Sequence, residues 1–369
     1  MKDQRLIKLA DLLVNYSTEI KPGQKVMIQG VSTAEPLIRE VYIKVMEAGG
    51  HPFNMIALKD QDYIFLKYAN DDQLSFIHEP TKYMFENYNA RIYIIGEENT
   101  RSLSNIDPDR AAIKHRATGP LMNTFLRRFA AGEFRWSVAM CPTAAHAQEA
   151  SMSLEEYEDF VFNASMPDPE NPVRFWKEFS KKQQKIVEWM KGKKDVHIVG
   201  PETDLRLRIE GRPFINCDCH ENVPDGEVFT SPIEDSAEGH IYFSYPAIND
   251  GHEVEGIRLW FEKGKVVKAT AEKNEEYLNK ILDTDKGSRY LGEFAFGTNP
   301  GITKFTGEIL FDEKIDGSIH LAVGTGFPET NSQNESSIHW DMICDLRNGG
   351  KVEIDGQQVY VDGKFTIDL

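Results

Sequence analysis

The hydrophobic pattern of this 369-residue chain changes near residue 193, and that change limits the folds open to it. Before this point, short apolar runs at residues 26–30, 53–58 and 91–96 are typical of buried strands. Between the first two runs, Leu37 and Val41 recur at helical spacing and predict an amphipathic helix. The order strand–helix–strand predicts an α/β N-terminal domain with a mainly parallel sheet.

Beyond residue 193, polar and apolar residues alternate instead. Leu205 and Leu207 alternate with charged residues, as expected of a half-buried strand. Residues 257–267 predict a hairpin with its turn at Lys263-Gly264, and residues 274–283 predict a helix. We therefore predict two domains, an α/β domain over residues 1–192 and a mostly antiparallel β domain over residues 193–369.

The acidic balance of the chain excludes some classes of partner. Its net charge is -17, which would repel nucleic acid and anionic membranes. No run approaches the roughly 18 apolar residues of a membrane-spanning helix. Leu6 and Leu9 predict an amphipathic first helix rather than a signal peptide. The four scattered cysteines do not form a disulfide framework, so we expect a reduced, cytoplasmic protein. The first predicted strand also lacks the glycine pattern of a nucleotide site.

Two histidines and several carboxylates occur in short apolar runs of the second half. His339 and Asp341 are two residues apart, so on a strand they project to the same side and can converge on one ion. His320 lies in an apolar run, and Glu227 and Glu293 lie in locally uncharged ones. A buried carboxylate there needs a metal or a cation to offset its desolvation. Each residue alone also fits a satisfied core position, but together they predict a metal-dependent hydrolase.

The segment Cys217-Asp218-Cys219-His220 invites a zinc interpretation. A structural zinc site needs a second pair of ligands at a set spacing, and the remaining cysteines do not supply one. We expect instead a strand with small buried side chains that leads into the loop of Glu227. Asp218 and His220 remain candidates for contacts to substrate or to metal ligands.

Several motifs of the chain resemble, in their order, those of the thermophilic metalloaminopeptidases, the family of the aminopeptidase T and aminopeptidase S type. They lie at residues 222–232, Leu291-Gly292-Glu293, residues 310–313, His320-Leu321-Ala322 and His339-Trp340-Asp341. Residues 21–26 and 152–158 also resemble the family and extend the likeness to the first half.

This resemblance implies a cytoplasmic, homodimeric exopeptidase that releases N-terminal residues from peptides. It implies two divalent metal ions (zinc, cobalt or manganese), and the ligands it places are Glu227, Glu293, His320, His339 and Asp341. Such ions would activate a shared water, and a carboxylate that is not a ligand would carry its proton to the leaving amine. Glu313 and Glu329 are our candidates for this catalytic carboxylate.

One position departs from the family pattern. The family has a tyrosine seven residues after the position of His320, and this chain has Phe327, which neither binds a metal nor donates a hydrogen bond. A water in place of the hydroxyl is one explanation. The change leaves two alternatives open: a mononuclear iron ring-cleaving dioxygenase that uses only the two histidines and Asp341, or a catalytically impaired peptide-binding homologue. Retention of Glu227 and Glu293 favours two metals and hydrolysis.

Overall fold

A computed structural model describes residues 3–249 and 251–367. The chain divides into two compact units. The first runs to Val173 and includes Cys219–Pro224, and the second comprises Arg174–Asp218 and the chain from Asp225 onward. The domain boundary after residue 192 stays a prediction. The compact units divide earlier, because Ile186 and Met190, at the end of a long helix, belong to the hydrophobic core of the second unit.

The helices are α1 (Gln4–Leu12), α2 (Glu35–Glu47), α3 (Gln61–Tyr68), α4 (Asp71–Ser75), α5 (Glu79–Asn87), α6 (Pro108–Ala130), α7 (Ala144–Glu149), α8 (Leu154–Ser165), α9 (Pro172–Met190), α10 (Glu275–Leu282) and α11 (Ile309–Asp312). A π-helix (Leu13–Ser17) follows α1, and 3-10 turns occur at Ser32–Ala34 and Pro328–Thr330. No helix of the described residues is long and apolar enough to cross a membrane.

The strands are β1 (Lys25–Val31), β2 (His51–Ala57), β3 (Ala90–Ile95), β4 (Arg135–Met140), β5 (Asp195–Gly200), β6 (Thr203–Arg208), β7 (Ile215–Cys217), β8 (Asn222–Val223), β9 (Glu227–Thr230), β10 (Glu238–Tyr242), β11 (Ala247–Asn249), β12 (His252–Val254), β13 (Arg258–Glu262), β14 (Lys265–Thr270), β15 (Leu291–Gly297), β16 (Ser318–Gly324), β17 (His339–Asp345), β18 (Lys351–Ile354), β19 (Gln357–Val361) and β20 (Lys364–Phe365).

The first unit contains the predicted parallel sheet. Its strand order is β2-β1-β3-β4-β8, and every pairing in it is parallel. The short last strand comes from the segment Cys219–Pro224, which returns to this unit from the second half of the sequence. The predicted α/β class of the N-terminal half is therefore confirmed.

The second unit is built mostly from antiparallel sheets, as predicted. One has the order β14-β13-β10-β6-β5-β18-β19-β20, and another has the order β17-β16-β15-β9-β7. The predicted hairpin is β13–β14, whose turn residues Lys263 and Gly264 both have positive φ angles. Apolar side chains of both sheets, such as Ile198 and Leu205 in the first and Leu321 in the second, share one hydrophobic core.

Candidate metal centre

The pairing of strands β15, β16 and β17 places the predicted ligands on one face of the sheet. Asp341 pairs with Ala322, and Ala322 pairs with Glu293, which makes one row across three strands. Directly paired residues project to the same side of a sheet, and so do residues two apart along a strand. His339 and His320 each lie two residues before a member of this row, so they share its face.

The same face continues onto β9 and β7. Glu227 pairs with Gly297, which lies four residues after Glu293 on β15, and Cys217 pairs with Glu227. Ala295 also belongs to this face, because it pairs with His320. Alanine and glycine at these intervening positions leave room above the sheet for the polar side chains.

The opposite face of these strands is apolar and buried. Its members in the hydrophobic core include Phe294, Phe296, Leu321, Val323, Trp340 and Met342. Large apolar side chains at alternate positions fix the register, since a slip of one residue would exchange the two faces. The core thus determines where the polar residues converge.

The carboxylate of Glu293 lies between the two histidines. Its Oε1 is 3.5 Å from His320 Nε2, and its Oε2 is 3.2 Å from His339 Nε2. Glu227 Oε2 lies 3.3 Å from His320 Nε2, and Asp341 Oδ1 lies 3.5 Å from His339 Nε2. The five residues therefore form two groups that share Glu293, and within each group the potential ligand atoms lie within 4.8 Å of one another.

Both imidazoles are oriented by backbone carbonyls. His320 Nδ1 lies 2.8 Å from the carbonyl oxygen of Glu313, and His339 Nδ1 lies 2.8 Å from that of Thr325. A carbonyl oxygen only accepts hydrogen bonds, so each Nδ1 carries a hydrogen and donates it. The Nε2 atom of each neutral ring is then left with a lone pair directed at the cluster, an arrangement typical of metal-binding histidines.

Three buried atoms of the cluster support metal binding. Glu227 Oε2, His320 Nε2 and Asp341 Oδ1 lack a hydrogen-bond partner among the described residues. Buried polar atoms in native proteins are nearly always paired, so three such atoms at one place indicate a missing cation. Imidazole nitrogen and carboxylate oxygen suit zinc, cobalt and manganese, and the residues therefore fit divalent metal ions.

The electrostatics of the cluster reflect strong burial and close contact between opposite charges. Burial raises the pKa of Glu227 well above its usual range. Burial also opposes ionisation of Asp341, but the charge of His339 outweighs it and lowers the pKa of that carboxyl to about 2. Burial lowers the pKa of His320, but the negative charges of the nearby Glu227 and Glu293 carboxylates outweigh burial and raise that pKa to about 10. A metal requires the neutral imidazole, so its binding would release protons.

The two predicted catalytic carboxylates lie in different surroundings. Glu313 follows α11, and it forms a group with His320 and Asp341 whose ligand atoms lie within 4.8 Å of one another. Burial raises the pKa of Glu313. Glu329 is exposed in the turn Pro328–Thr330 and lies outside the potential ion-binding groups found among the described residues. The structure thus brings one of the two candidates to the cluster.

Sequence reasoning missed three further residues at this site. Lys314 is completely buried and forms an ion pair with the Glu313 carboxylate. Asp225 and Cys217 form a group with Glu227. Asp225 precedes Glu227 by two residues, a spacing that carried a signal, whereas the position of Cys217 depends on pairing between β7 and β9.

The structure places the two cysteines of the Cys217–His220 segment in different units. Cys217 ends strand β7, as expected, and Cys219 is buried in the first unit. The potential ion-binding groups among the described residues include Cys217 but neither Cys219 nor His220. Asp218 accepts a hydrogen bond of 2.6 Å from Ser180 Oγ, and its role toward substrate stays a prediction.

Phe327 forms an apolar wall beside one of the histidines. Its ring centroid lies 5.0 Å from that of His339 and 5.0 Å from that of Phe229, both in edge-to-face geometry. Thr330 Oγ1 lies 2.7 Å from the Phe327 carbonyl oxygen and 2.6 Å from Ser231 Oγ, and its one hydrogen is shared between these two acceptors, which fixes the turn that carries the ring.

Comparison with known sequences identifies a matching protein family. The model of the thermophilic metalloprotease (M29) family matches residues 2–365. Aminopeptidase 2 of Geobacillus stearothermophilus is 26% identical over 362 residues, which cover 91% of this chain and 87% of that protein. Aminopeptidase T of Thermus thermophilus is 26% identical over 400 residues, which cover 98% of this chain and 96% of that protein.

Two solved structures share the fold. Wild-type AmpT from Thermus thermophilus superposes with a TM-score of 0.86 at 23% identity, covering 99% of each chain. A 2,5-dihydroxypyridine dioxygenase from Pseudomonas putida KT2440 has a TM-score of 0.61 at 12% identity, covering 98% of this chain and 97% of its own. The first likeness supports the predicted fold class, and the second is more distant.

The family match extends over almost the whole sequence and agrees with the motif order, the two-unit fold and a cluster that fits divalent metals. The predicted resemblance and the predicted metalloprotease class are both confirmed. This chain belongs to the thermophilic metalloprotease (M29) family.

Proposed function

We propose that the protein is an aminopeptidase that removes N-terminal residues from peptides at a dinuclear metal centre. One observation carries the dinuclear part: each oxygen of the Glu293 carboxylate lies near a different histidine. A carboxylate in this position fits a bridge between two ions, the arrangement used by many hydrolases. The aminopeptidase part is supported by the M29 match and by relatives that carry this name.

In this proposal each ion has its own pair of terminal ligands. Glu227 and His320 would hold one ion, His339 and Asp341 would hold the other, and Glu293 would supply a ligand oxygen to each. Bound zinc, cobalt or manganese would lower the pKa of a shared water and polarise the scissile carbonyl. The carbonyls of Glu313 and Thr325 keep the two imidazoles in the tautomer that this arrangement needs.

We assign proton transfer to Glu313. Its carboxylate lies beside His320 and Asp341 but is not required as a ligand. Burial raises its pKa, which favours a group that accepts a proton from water and returns it to the leaving amine near neutral pH. Glu329 is exposed and lies outside the cluster, so it is less well supported in the same role.

Metal content per subunit, measured with hydrolysis of leucyl and other aminoacyl anilides, tests the proposal. We expect two divalent ions and a turnover that chelator removes and cobalt or zinc restores. One bound iron without peptidase activity would favour the dioxygenase alternative instead. Weak metal binding with tight binding of intact peptides would favour a homologue that has lost turnover.

The variant Glu293→Gln tests whether the charge of the Glu293 carboxylate is needed for metal binding. Glutamine keeps the shape but loses the charge, so we expect fewer than two ions per subunit. Hydrolysis should fall by more than about a hundredfold, the cost typical of losing even an outer contact to a metal ligand. Glu353→Gln is the control, since Glu353 pairs with Lys351 on the other large sheet. Full activity in Glu293→Gln would remove Glu293 from the centre.

The predicted cytoplasmic location and homodimer belong to the same proposal, because they derive from the resemblance to the family. Light scattering coupled to size-exclusion chromatography measures the mass in solution directly. A mass of one chain at micromolar concentration would contradict the dimer without affecting the proposed chemistry.

A further inference from the structure

A buried ammonium group lies inside the acidic cluster. The Lys314 side chain has 0% exposure and contacts the Glu313 carboxylate. Glu227 and Asp225 also interact with it electrostatically. A buried charge is costly unless it is paired, and a lysine is almost never fully buried without such a partner. The ligand set proposed above leaves this cation without a role.

The backbone fixes the position of this lysine. The amide of Lys314 donates to the Phe311 carbonyl at 3.0 Å, and its carbonyl accepts from the Asn299 amide at 3.1 Å. Gly297 on β15 lies so close that a Cβ there would be 2.9 Å from the Lys314 carbonyl carbon. The backbone of Lys314 is therefore held by tightly packed main chain, and its side chain is fully buried.

The charges of the cluster show what such a cation would do. The carboxylates in the potential ion-binding groups are Asp225, Glu227, Glu293, Glu313 and Asp341. Together they carry five negative charges when ionised, and two divalent ions supply four positive charges. With neutral imidazoles and a neutral thiol, one positive charge is missing. Lys314 supplies one.

We infer that Lys314 is a positioning residue of the metal centre, whose ammonium group balances the fifth carboxylate and holds the Glu313 carboxylate beside His320 and Asp341. This inference rests on the proposed dinuclear function. It assigns Glu313 to Lys314 as a partner and leaves Glu227, Glu293 and Asp341 to the metals. It also explains why a lysine lies between acidic side chains that would otherwise repel one another.

Lys314→Met and Lys314→Arg test the charge, with Lys351→Met as a control for loss of a lysine on the other large sheet. Zinc affinity is measured by competition with a chromogenic chelator. We expect Lys314→Met to bind zinc at least tenfold more tightly, because a cation that repels the metal is gone. Its kcat should fall at least tenfold with KM within twofold, since Glu313 is no longer held. Lys314→Arg should keep a zinc affinity close to that of the wild type.

A double variant keeps the inference testable even if Lys314→Met is less stable than the wild type. Thermal unfolding of the metal-free proteins is compared for Lys314→Met, Glu313→Gln and the two combined. If the two charges act as a pair, Glu313→Gln should restore most of the Tm lost in Lys314→Met. Simply additive changes in Tm would overturn the pairing.

Other outcomes also overturn the inference. Unchanged zinc affinity and kcat in Lys314→Met would show that the lysine only fills space. Weaker zinc binding would show that it acts through local structure rather than charge, and tighter binding with unchanged kcat would refute the positioning of Glu313. Fewer than two ions per subunit in the wild type would contradict the proposed function instead. In that case the non-additivity of the Tm changes in the double variant would still decide whether Lys314 holds Glu313.

Discussion

At the scale of single residues, Phe327 stands where the resemblance to the family leads us to expect a tyrosine. Its ring contacts His339 and brings no hydroxyl to the cluster. Phe327→Tyr adds one donor at the ring edge without changing the apolar wall. Because the added hydroxyl can donate a hydrogen bond to the reacting carbonyl, kcat should rise by roughly a hundredfold, the lower end of the range attributed to one such donor. Steady-state kinetics on an aminoacyl anilide would measure this.

Phe229→Tyr is a control for the Phe327 prediction, because Phe229 packs against the same ring but is itself almost fully buried. It should not raise kcat. An unchanged or lower kcat in Phe327→Tyr would show that this chain has replaced the hydroxyl by other means, such as an ordered water.

Several residues of the cluster could be picked out from the sequence because each is a polar residue in an apolar run. Glu293, His320 and His339 stand out for that reason. Cys217 and Lys314 did not, because only pairing between distant strands and the close packing at Gly297 bring them to the cluster. Glu329 is the opposite case: the sequence suggested it as a catalytic candidate, but its neighbours in sequence do not reveal that it is exposed.

At the scale of elements, the site depends on small residues between the ligands. A Cβ added at Gly297 would overlap the carbonyl oxygen of Ile315. Gly297→Ala should therefore destabilise the protein by about 2–3 kcal/mol, as overpacking of a core does. It should also weaken zinc binding, because the segment that carries Glu313 and Lys314 must shift. Chemical denaturation and zinc titration would measure the two effects.

Gly119→Ala is the matched control for Gly297→Ala. A Cβ at Gly119, on helix α6, meets no other heavy atom within 4 Å. Alanine is the better helix former, so this change should leave stability equal or slightly higher. Equal stability losses in the two variants would contradict the packing argument.

A second element-scale feature joins the segments that lead into β15 and β17. The carboxylate of Asp285 accepts hydrogen bonds from Ser288 Oγ at 2.9 Å, from Ser336 Oγ at 2.8 Å, and from the amide and hydroxyl of Ser337 at 2.7 Å each. Burial opposes its ionisation, but these bonds outweigh burial and hold the pKa of Asp285 well below its usual range. The ionised form therefore stabilises the fold.

Asp285→Asn should lower the free energy of unfolding by about 2 kcal/mol near neutral pH, because hydrogen bonds to a charged acceptor are lost. The folded pKa lies below the unfolded value of about 4. The stabilisation is thus complete above pH 4 and is lost as pH falls further, so the two proteins should converge in acid. Urea unfolding at several pH values measures this, and a difference that grows in acid would contradict it.

The elements themselves were largely predictable from periodicity and turn residues. The strand at residues 26–30 and the β13–β14 hairpin follow from apolar runs and a Lys-Gly turn. The short strand β8 was not predictable, since its pairing with β4 comes from a segment more than 70 residues further along the chain. The packing of α9 against the core of the second unit could not be predicted either, because an amphipathic pattern predicts a buried face but does not identify the residues that cover it.

At the scale of the whole molecule, metal binding should contribute to stability. Ions that bind only the folded state add about 2.7 kcal/mol per site when present at a hundred times their dissociation constant. Removal of metal by chelator should therefore lower Tm by about 10 °C, and zinc should restore it. Magnesium is a useful control, because it prefers oxygen ligands in octahedral geometry and should restore little. Calorimetry that shows no shift would argue against tightly held ions.

The sheet that carries the cluster has one further consequence. Along β15, β16 and β17, alternate positions perform different tasks, since one set forms the core and the other faces the acidic cluster. Exchange of one polar side chain for another in the cluster can therefore alter the site while the apolar side chains on the opposite face stay packed. Insertion or deletion of a single residue would exchange both sets at once. We therefore expect related sequences to differ in the polar residues of these strands but to keep the strand lengths unchanged.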